Sequence, residues 1–144
     1  VLAVGEGPLR AQLEEQARAL KIDGVVHFLG HREDVADLLN AADLVTLASR
    51  SEGMPYTLLE AMGSGRAVVA TRIGGIEEVI RQEGTALLVP TEDPAALAVA
   101  VAGLLDDPEG AARMGASARQ YIMQHHTAAG MLAQVQAIYQ DLLA

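Results

Sequence analysis

Short apolar runs rich in β-branched residues alternate along this chain with segments of helical periodicity. Strands separated by helices and joined by short loops predict a doubly wound, mostly parallel, Rossmann-like α/β sheet with helices on both faces. After the fifth predicted strand only helical segments remain, so a helical C-terminus is expected. The predicted strands are 1–5, 25–29, 44–48, 67–71 and 86–89, and the predicted helices are 8–20, 32–40, 55–62, 76–80, 94–105, 108–124 and 127–143.

The loop and helix after the third predicted strand carry two carboxylates, Glu52 and Glu60, eight positions apart. Pro55 stands where the first turn of that helix should begin, and its fixed φ and missing N–H suit this position. The amides of residues 56–58 should then lack intrahelical partners and form an anion site at the positive end of the helix dipole. A carboxylate beside a phosphate site can accept hydrogen bonds from the vicinal hydroxyls of a ribose, and Glu52 can do the same for a second polyol. The pattern indicates a nucleotide-sugar site.

Paired acids at this spacing also occur on solvated loops and amphipathic helices, and the spacing alone favours that interpretation. The surroundings favour a site, because the apolar runs 44–48 and 67–71 flank the loop and helix. This is a βαβ setting, in which ligands bind beyond the carboxyl ends of parallel strands.

The segment 49–80 resembles the donor-binding core of the group 1 retaining glycosyltransferases, whose signature is two glutamates separated by seven residues. Glu52 and Glu60 match that signature. Further short motifs follow the order and spacing of the family over nearly the whole chain: Val4-Gly-Glu-Gly-Pro8, Phe28-Leu-Gly30, Ala41-Ala-Asp43, Gly74-Gly75 with Glu78, and Leu87-Leu-Val-Pro90 followed by Asp93.

The resemblance implies one half of a GT-B architecture, in which two Rossmann-like domains face each other across a cleft and the C-terminal one holds the nucleotide sugar. Glu52 would be the catalytic residue, contacting the donor sugar and stabilising charge near its reacting face, and Glu60 would bind the ribose hydroxyls. Pro55 departs from the family, since many members have a residue with a free N–H there, and one amide contact is lost. The other donor-binding residues implied are Gly53, Met54, Tyr56, Thr57, Leu58, Gly74 and Gly75.

By the same resemblance, residues 1–144 are one nucleotide-sugar-binding C-terminal domain, truncated at its N-terminal edge because Val1 opens within a predicted strand. The expected function is the donor half of a glycosyltransferase of hexosyltransferase type. The isolated chain is expected to be inactive, because it lacks an N-terminal acceptor domain and also lacks the basic pair that neutralises the leaving phosphate, which in the family belongs to sequence upstream of Val4. The alternative is a truncated, catalytically inert nucleotide-binding remnant or interaction module.

Composition argues against several other classes of function. The chain has no cysteine, so neither disulfides nor a thiol nucleophile is available. A net charge of −9, with ten scattered Lys and Arg residues, argues against a nucleic acid or an anionic membrane surface as partner. No His, Asp and Glu set has ligand spacing, so no metal and no other cofactor is expected. No targeting or membrane-spanning segment appears, and a cytoplasmic location is expected, peripheral to a membrane only through the missing domain.

Three further features have two interpretations each. Arg32 follows the second strand, where the family's loop approaches the nucleotide base, but it also fits a solvated residue at a helix start. Ser49 can orient Glu52 or be a plain turn hydroxyl. Gly74 and Gly75 permit close backbone approach, either to a donor or within an ordinary turn between strand and helix.

Two predicted helices carry apolar stripes at helical spacing. In the helix 8–20 the stripe of Leu9, Leu13, Ala17 and Leu20 is expected to face inward. The stripe of the last helix lacks a partner if an N-terminal domain is missing, so a weak homodimer through this helix or through the opened cleft face is expected. The last stripe consists of Met131, Leu132, Val135, Ile138, Tyr139 and Leu142.

Overall fold

The computed structural model describes residues 1–143, which form five strands and seven helices and confirm the predicted α/β class with its helical C-terminus. Within these residues the strands form two parallel ladders, β1 with β2 and β3-β4-β5 in that order. The chain divides into two compact units, Val1–Val35 and the residues from Ala36 onward. The elements are β1 (Leu2–Val4), α1 (Arg10–Ala19), β2 (His27–Gly30), α2 (Val35–Ala41), β3 (Leu44–Leu47), α3 (Tyr56–Gly63), β4 (Ala67–Thr71), α4 (Gly74–Val79), β5 (Leu87–Val89), α5 (Pro94–Asp106), α6 (Pro108–His125) and α7 (Ala128–Leu143).

The first unit is a small β-α-β motif. Ala3 lies opposite Phe28 in the parallel ladder, and the Gly5 amide extends the pairing by donating to the Gly30 carbonyl at 2.8 Å. Gly5 has φ +119°, a conformation that favours glycine, and the chain turns there toward α1.

Helix α1 covers its sheet less completely than its stripe predicts. Within the described residues of this unit, α1 buries Ala17, whereas the side chains of Leu9 and Leu20 are about 60% exposed and Leu13 is also exposed. The expectation that all four residues face inward is therefore wrong. A sheet of two short strands offers too little apolar surface to cover the whole stripe.

The second unit is built around the central strand β4. It pairs with β3 on one side, with Val45 opposite Val68, and with β5 on the other, with Ala70 opposite Leu88. All five residues of β4 are buried, as expected for a parallel strand covered on both faces. Because β4 is held by hydrogen bonds on both edges, its carboxyl end is a well-anchored place from which to position loops.

Helices α3, α5 and α6 contact β4. Helix α3 contributes Leu58, Ala61 and Met62, all fully buried, and α4 contributes Ile76 and Val79. Side chains of α5 and α6 pack against the face of β4 that carries Ala67 and Val69; they include Ala96, Leu97, Ala100, Val101, Leu104, Ala111 and Met114.

The C-terminal end of α3 is closed by two backbone hydrogen bonds. The Gly65 amide donates to the Met62 carbonyl at 3.0 Å, and the Arg66 amide donates to the Ala61 carbonyl at 3.2 Å. Gly65 has φ +77°, which this type of helix end requires. Helix α6 lies so close that a Cβ on Gly115 would overlap the Gly65 carbonyl. These contacts hold α3 in place at the end opposite the candidate site.

The N-termini of α5 and α6 are each capped by an aspartate that precedes a proline. The Asp93 carboxylate accepts a hydrogen bond from the Ala96 amide at 2.9 Å, and Asp107 accepts one from the Gly110 amide at 2.9 Å. Proline occupies the first helical position of each helix. These are N-caps of the usual acidic type, each worth about 1 kcal/mol.

Helix α7 is different, because within residues 1–143 it buries none of its side chains. The predicted stripe is exposed along its whole length, from Met131 at 63% to Leu142 at 77%. Among the helices of the described residues, none has the length and apolar character needed to cross a membrane.

Candidate functional site

The predicted site residues of the second unit lie in the β3-α3 loop and in helices α3 and α4, which follow the carboxyl ends of β3 and β4. Since β3, β4 and β5 are parallel, their carboxyl ends share one edge of the sheet, which is where open α/β sheets bind ligands. Glu52 lies in the loop between β3 and α3, and Gly74 and Gly75 open α4 just after β4. The structure therefore places these sequence-predicted residues at neighbouring strand ends.

Glu52 is half-buried and is held by a short chain of hydrogen bonds. The Ser49 hydroxyl donates to Glu52 Oε1 at 2.8 Å. The Thr71 hydroxyl, at the end of β4, donates to the Ser49 carbonyl at 2.5 Å, with a longer contact of 3.4 Å to the Leu47 carbonyl. Of the two interpretations of Ser49, the structure supports the one in which its hydroxyl orients Glu52.

Thr71 is the residue that sequence reasoning did not single out. Its side chain is only 5% exposed, so its hydroxyl needs a partner within the protein. The sequence feature that could have pointed to Thr71 is its position: it is a hydroxyl residue that ends the apolar run 67–70, at the strand end next to the Glu52 loop.

Gly75 is in close contact with the Glu52 loop. A Cβ at Gly75 would overlap the carbonyl oxygens of Glu52 and Gly53 and would lie 3.0 Å from the carbonyl carbon of Glu52. A Cβ at Gly74, in contrast, would meet no heavy atom of residues 1–143 within 4 Å. The close backbone approach predicted for this pair is thus to the protein's own loop at Gly75, while the space beside Gly74 is open.

The N-terminus of α3 begins one residue later than the sequence suggests, with Pro55 as the N-cap at φ −78° and ψ 86°. The Leu58 amide donates to the Pro55 carbonyl at 2.9 Å, and the Tyr56 amide donates to the Met54 carbonyl at 3.0 Å. The expectation of three unpartnered amides is therefore wrong for Tyr56 and Leu58, because Pro55 and Met54 turn their carbonyls toward the helix. Within residues 1–143, the Thr57 amide has no backbone acceptor outside its own helix.

The side chains around this helix end differ sharply in exposure. Tyr56 and Met54 are 72% and 54% exposed, and Glu60, one turn after Tyr56, is also exposed. Leu58 is 0% exposed and its amide is already bonded, so Leu58 is a packing residue of the core and is not placed to contact a donor. The exposed set combines a carboxylate acceptor, an aromatic ring and one amide donor.

Two arginines that the sequence reasoning did not assign lie at the same sheet edge. Arg50 Nε lies 3.2 Å from the Glu92 carboxylate, and Arg72 Nη1 lies 3.1 Å from Glu77. All four side chains are largely exposed, so these ion pairs contribute little to stability. Within the described residues no cluster of three or more His, Asp or Glu side chains with metal-binding geometry is found.

Arg32, the predicted base contact, belongs to the first unit. Its guanidinium makes two hydrogen bonds to the Asp34 carboxylate, at 2.7 and 2.5 Å, just before α2 begins. This hydrogen bonding lowers the pKa of Asp34 and raises that of Arg32. Helix α2 starts at Val35 rather than at Arg32, so Arg32 precedes the helix, paired with an exposed acid.

Fold and site together define a parallel α/β protein with polar, glycine-containing loops gathered at the carboxyl ends of its strands. The chain belongs to the group 1 glycosyl transferases, because the model of that family matches residues 1–107. The match runs from β1 to the end of α5 and includes both Glu52 and Glu60. It confirms the resemblance inferred from the short motifs and the signature glutamates.

Named relatives of the chain are longer proteins. It is 36% identical over 143 residues to the N-acetyl-alpha-D-glucosaminyl L-malate synthase of Bacillus anthracis, a match that covers 99% of this chain and 38% of that protein. The chain thus spans less than half the length of the relatives it matches.

Solved structures share the fold closely. The sucrose-phosphate synthase of Thermosynechococcus elongatus superposes with a TM-score of 0.90 at 28% identity, over 99% of this chain and 38% of that one. Anabaena Alr3699/HepE, solved in complex with UDP, superposes with a TM-score of 0.91 at 25% identity, over 97% of this chain and 40% of that one. The same Anabaena protein has also been solved with UDP-glucose. The chain therefore has the fold of one half of a GT-B glycosyltransferase.

Proposed function

We propose that this chain is the donor-binding half of a retaining glycosyltransferase and holds a nucleoside-diphosphate sugar at the carboxyl edge of its β3-β4-β5 sheet. The observation that carries the proposal is the arrangement of the two signature glutamates. Glu52 is half-buried and fixed by Ser49 in the loop after β3, whereas Glu60 is exposed on the first turns of α3. The N-terminus of α3 lies between them in sequence.

In this proposal Glu60 accepts hydrogen bonds from the two ribose hydroxyls, for which an exposed carboxylate with two oxygens is well suited. The Thr57 amide and the positive end of α3 face the diphosphate. Gly53, Met54 and Tyr56 line the approach, and Tyr56 offers a ring that is largely accessible.

Glu52 would act on the sugar. Its Oε1 already accepts a hydrogen bond from Ser49, and no other described residue donates to its Oε2. Oε2 can therefore accept a hydrogen bond from a donor sugar hydroxyl. When the bond between the sugar and the diphosphate breaks, positive charge develops on the sugar ring, and a nearby fixed carboxylate stabilises that charge.

The choice of donor is guided by the structural neighbours. A UDP-bound and a UDP-glucose-bound structure of one protein superpose on nearly the whole of this chain. UDP and UDP-glucose are therefore the first ligands to test. This chain covers 38% of the length of each of two matched proteins. That difference in length supports an additional acceptor-binding domain as the partner that completes the enzyme.

The proposal is tested by calorimetric titration of the 144-residue chain with UDP and with UDP-glucose. Glu60→Ala should weaken the binding of both ligands by about 1.5–3 kcal/mol, the usual cost of losing hydrogen bonds to a charged group. Glu52→Ala should weaken UDP-glucose binding and spare UDP. Glu109→Ala, an exposed acid in the first turn of α6, is the matched control and should change neither affinity.

Equal losses for the two ligands in the Glu52 variant would refute the assigned roles. A wild-type chain that binds neither nucleotide would refute the donor site itself.

A further inference from the structure

The carboxyl end of β4 is tied to the loop that carries Glu52 by a buried hydroxyl. Thr71 lies on the central strand, one residue beyond the pair formed by Leu47 and Ala70 in the ladder with β3. Its hydroxyl donates to the Ser49 carbonyl at 2.5 Å, so the chain after β3 remains attached to β4 although it has left the sheet. At this position the hydrogen bond from the Thr71 side chain takes the place of the next backbone hydrogen bond between β3 and β4.

Ser49 connects Thr71 to the Glu52 carboxylate. Its carbonyl is held by Thr71, while its hydroxyl donates to Glu52 Oε1 at 2.8 Å. One residue is thus anchored on the rigid strand and oriented toward the carboxylate. The backbone of Gly75 also packs against the Glu52 and Gly53 carbonyls, so the loop cannot move toward α4.

From this geometry we infer that Thr71 and Ser49 are positioning residues that fix the Glu52 carboxylate for its contact with the donor sugar. The inference rests on the proposed function for the role of Glu52. A half-buried acid in a loop that contains Gly53 would otherwise sample several rotamers. Functional groups must be held to within a fraction of an ångström by the groups behind them to act effectively.

The chain offers a matched control for a buried threonine. Thr85 is 0% exposed, and its hydroxyl donates to the Gln82 carbonyl at 2.7 Å, in the loop before β5. Thr85→Val removes the same kind of hydrogen bond as Thr71→Val without touching the Glu52 loop. Thr71→Ser and Ser49→Thr keep the hydroxyl and serve as the conservative variants.

The experiment compares the affinities of UDP-glucose and UDP by calorimetry. Ser49→Ala and Thr71→Val should each weaken UDP-glucose binding about 3- to 10-fold more than UDP binding, the effect of one hydrogen bond. Thr71→Ser, Ser49→Thr and Thr85→Val should leave the ratio of the two affinities unchanged. In a Glu52→Ala background, adding Ser49→Ala should cause no further change in that ratio, because no carboxylate remains for Ser49 to position.

A second measurement needs no ligand. The side-chain carboxylate ¹³C resonance of Glu52, assigned by its loss in Glu52→Gln, should move in the same direction in Ser49→Ala and Thr71→Val and stay in place in Thr85→Val. If the wild-type chain binds neither nucleotide, the proposed function fails, and the Glu52 resonance alone then tests whether Ser49 and Thr71 position the Glu52 carboxylate. Ser49→Ala alters no buried strand, so it decides the question if Thr71→Val does not fold.

An unchanged Glu52 resonance in both variants would overturn the inference. So would equal losses for UDP and UDP-glucose, or an effect of Ser49→Ala that persists undiminished in the Glu52→Ala background.

Discussion

The adjacent glycines at the start of α4 provide a sharp test of how the loop at β3 is held. Gly75→Ala would place a methyl group into the carbonyl oxygens of Glu52 and Gly53, whereas Gly74→Ala would place the same methyl group into open space. The two substitutions are chemically identical and one residue apart in the same helical turn. Any difference between them therefore reports the packing of Gly75 against the Glu52 loop.

The expected magnitudes follow from this geometry. Both variants gain about 0.4–1 kcal/mol, because alanine restricts the unfolded chain more than glycine does. Gly75→Ala must also displace a backbone segment, and overpacking of this kind costs about 1–3 kcal/mol. Gly74→Ala should therefore be neutral or stabilising, and Gly75→Ala should be less stable than Gly74→Ala by about 1–3 kcal/mol, or roughly 2–12 °C in Tm for a chain of this size.

Urea unfolding followed by circular dichroism measures both free energies, and titration with UDP-glucose measures the consequence at the site. Gly75→Ala should weaken UDP-glucose binding more than UDP binding, because the displaced loop carries Glu52, while Gly74→Ala should preserve the ratio. Equal stability of the two alanine variants would refute the reasoning, since the described contact would then have no energetic consequence.

Three further predictions concern other parts of the chain. Adding EDTA should leave the calorimetric UDP affinity unchanged, and a marked drop would show that a divalent ion takes part. Sedimentation equilibrium should show a weak dimer that Val135→Glu with Leu142→Glu abolishes, and a wild-type monomer at high concentration would contradict the role of the exposed α7 stripe. Burial, then the charges of His125 and Arg81, lower the pKa of His126. As the pH falls, His126 is therefore protonated in the unfolded state before it is protonated in the folded state. The free energy of unfolding should decline below about pH 6.5. His126→Gln should flatten that decline in urea unfolding between pH 5 and 8, and an unchanged slope would contradict it.

Features that depend on neighbouring residues could be predicted from the sequence. The alternation of strands and helices appears in the structure with small shifts of boundaries, and the caps of α5 and α6 follow from Asp-Pro pairs. The family could also be identified from the sequence, because Glu52 and Glu60 have the spacing of its signature and several short motifs occur in its order. Each of these signals is local, since hydrophobic periodicity and cap chemistry act within one or two turns of chain.

The details of the site depended on contacts between segments far apart in the chain. Thr71 reaches Ser49 across 22 residues, and Gly75 meets the Glu52 backbone across a similar interval. Leu58 resembles a site residue by position in the motif, but the packing of α3 buries it completely. Hydrophobic patterning determines which face of a strand or helix is covered. It does not determine which carbonyl a buried hydroxyl will bind, because that depends on the register of β3 against β4 and on the course of the loop between β3 and α3, both of which are set only when the whole sheet is assembled.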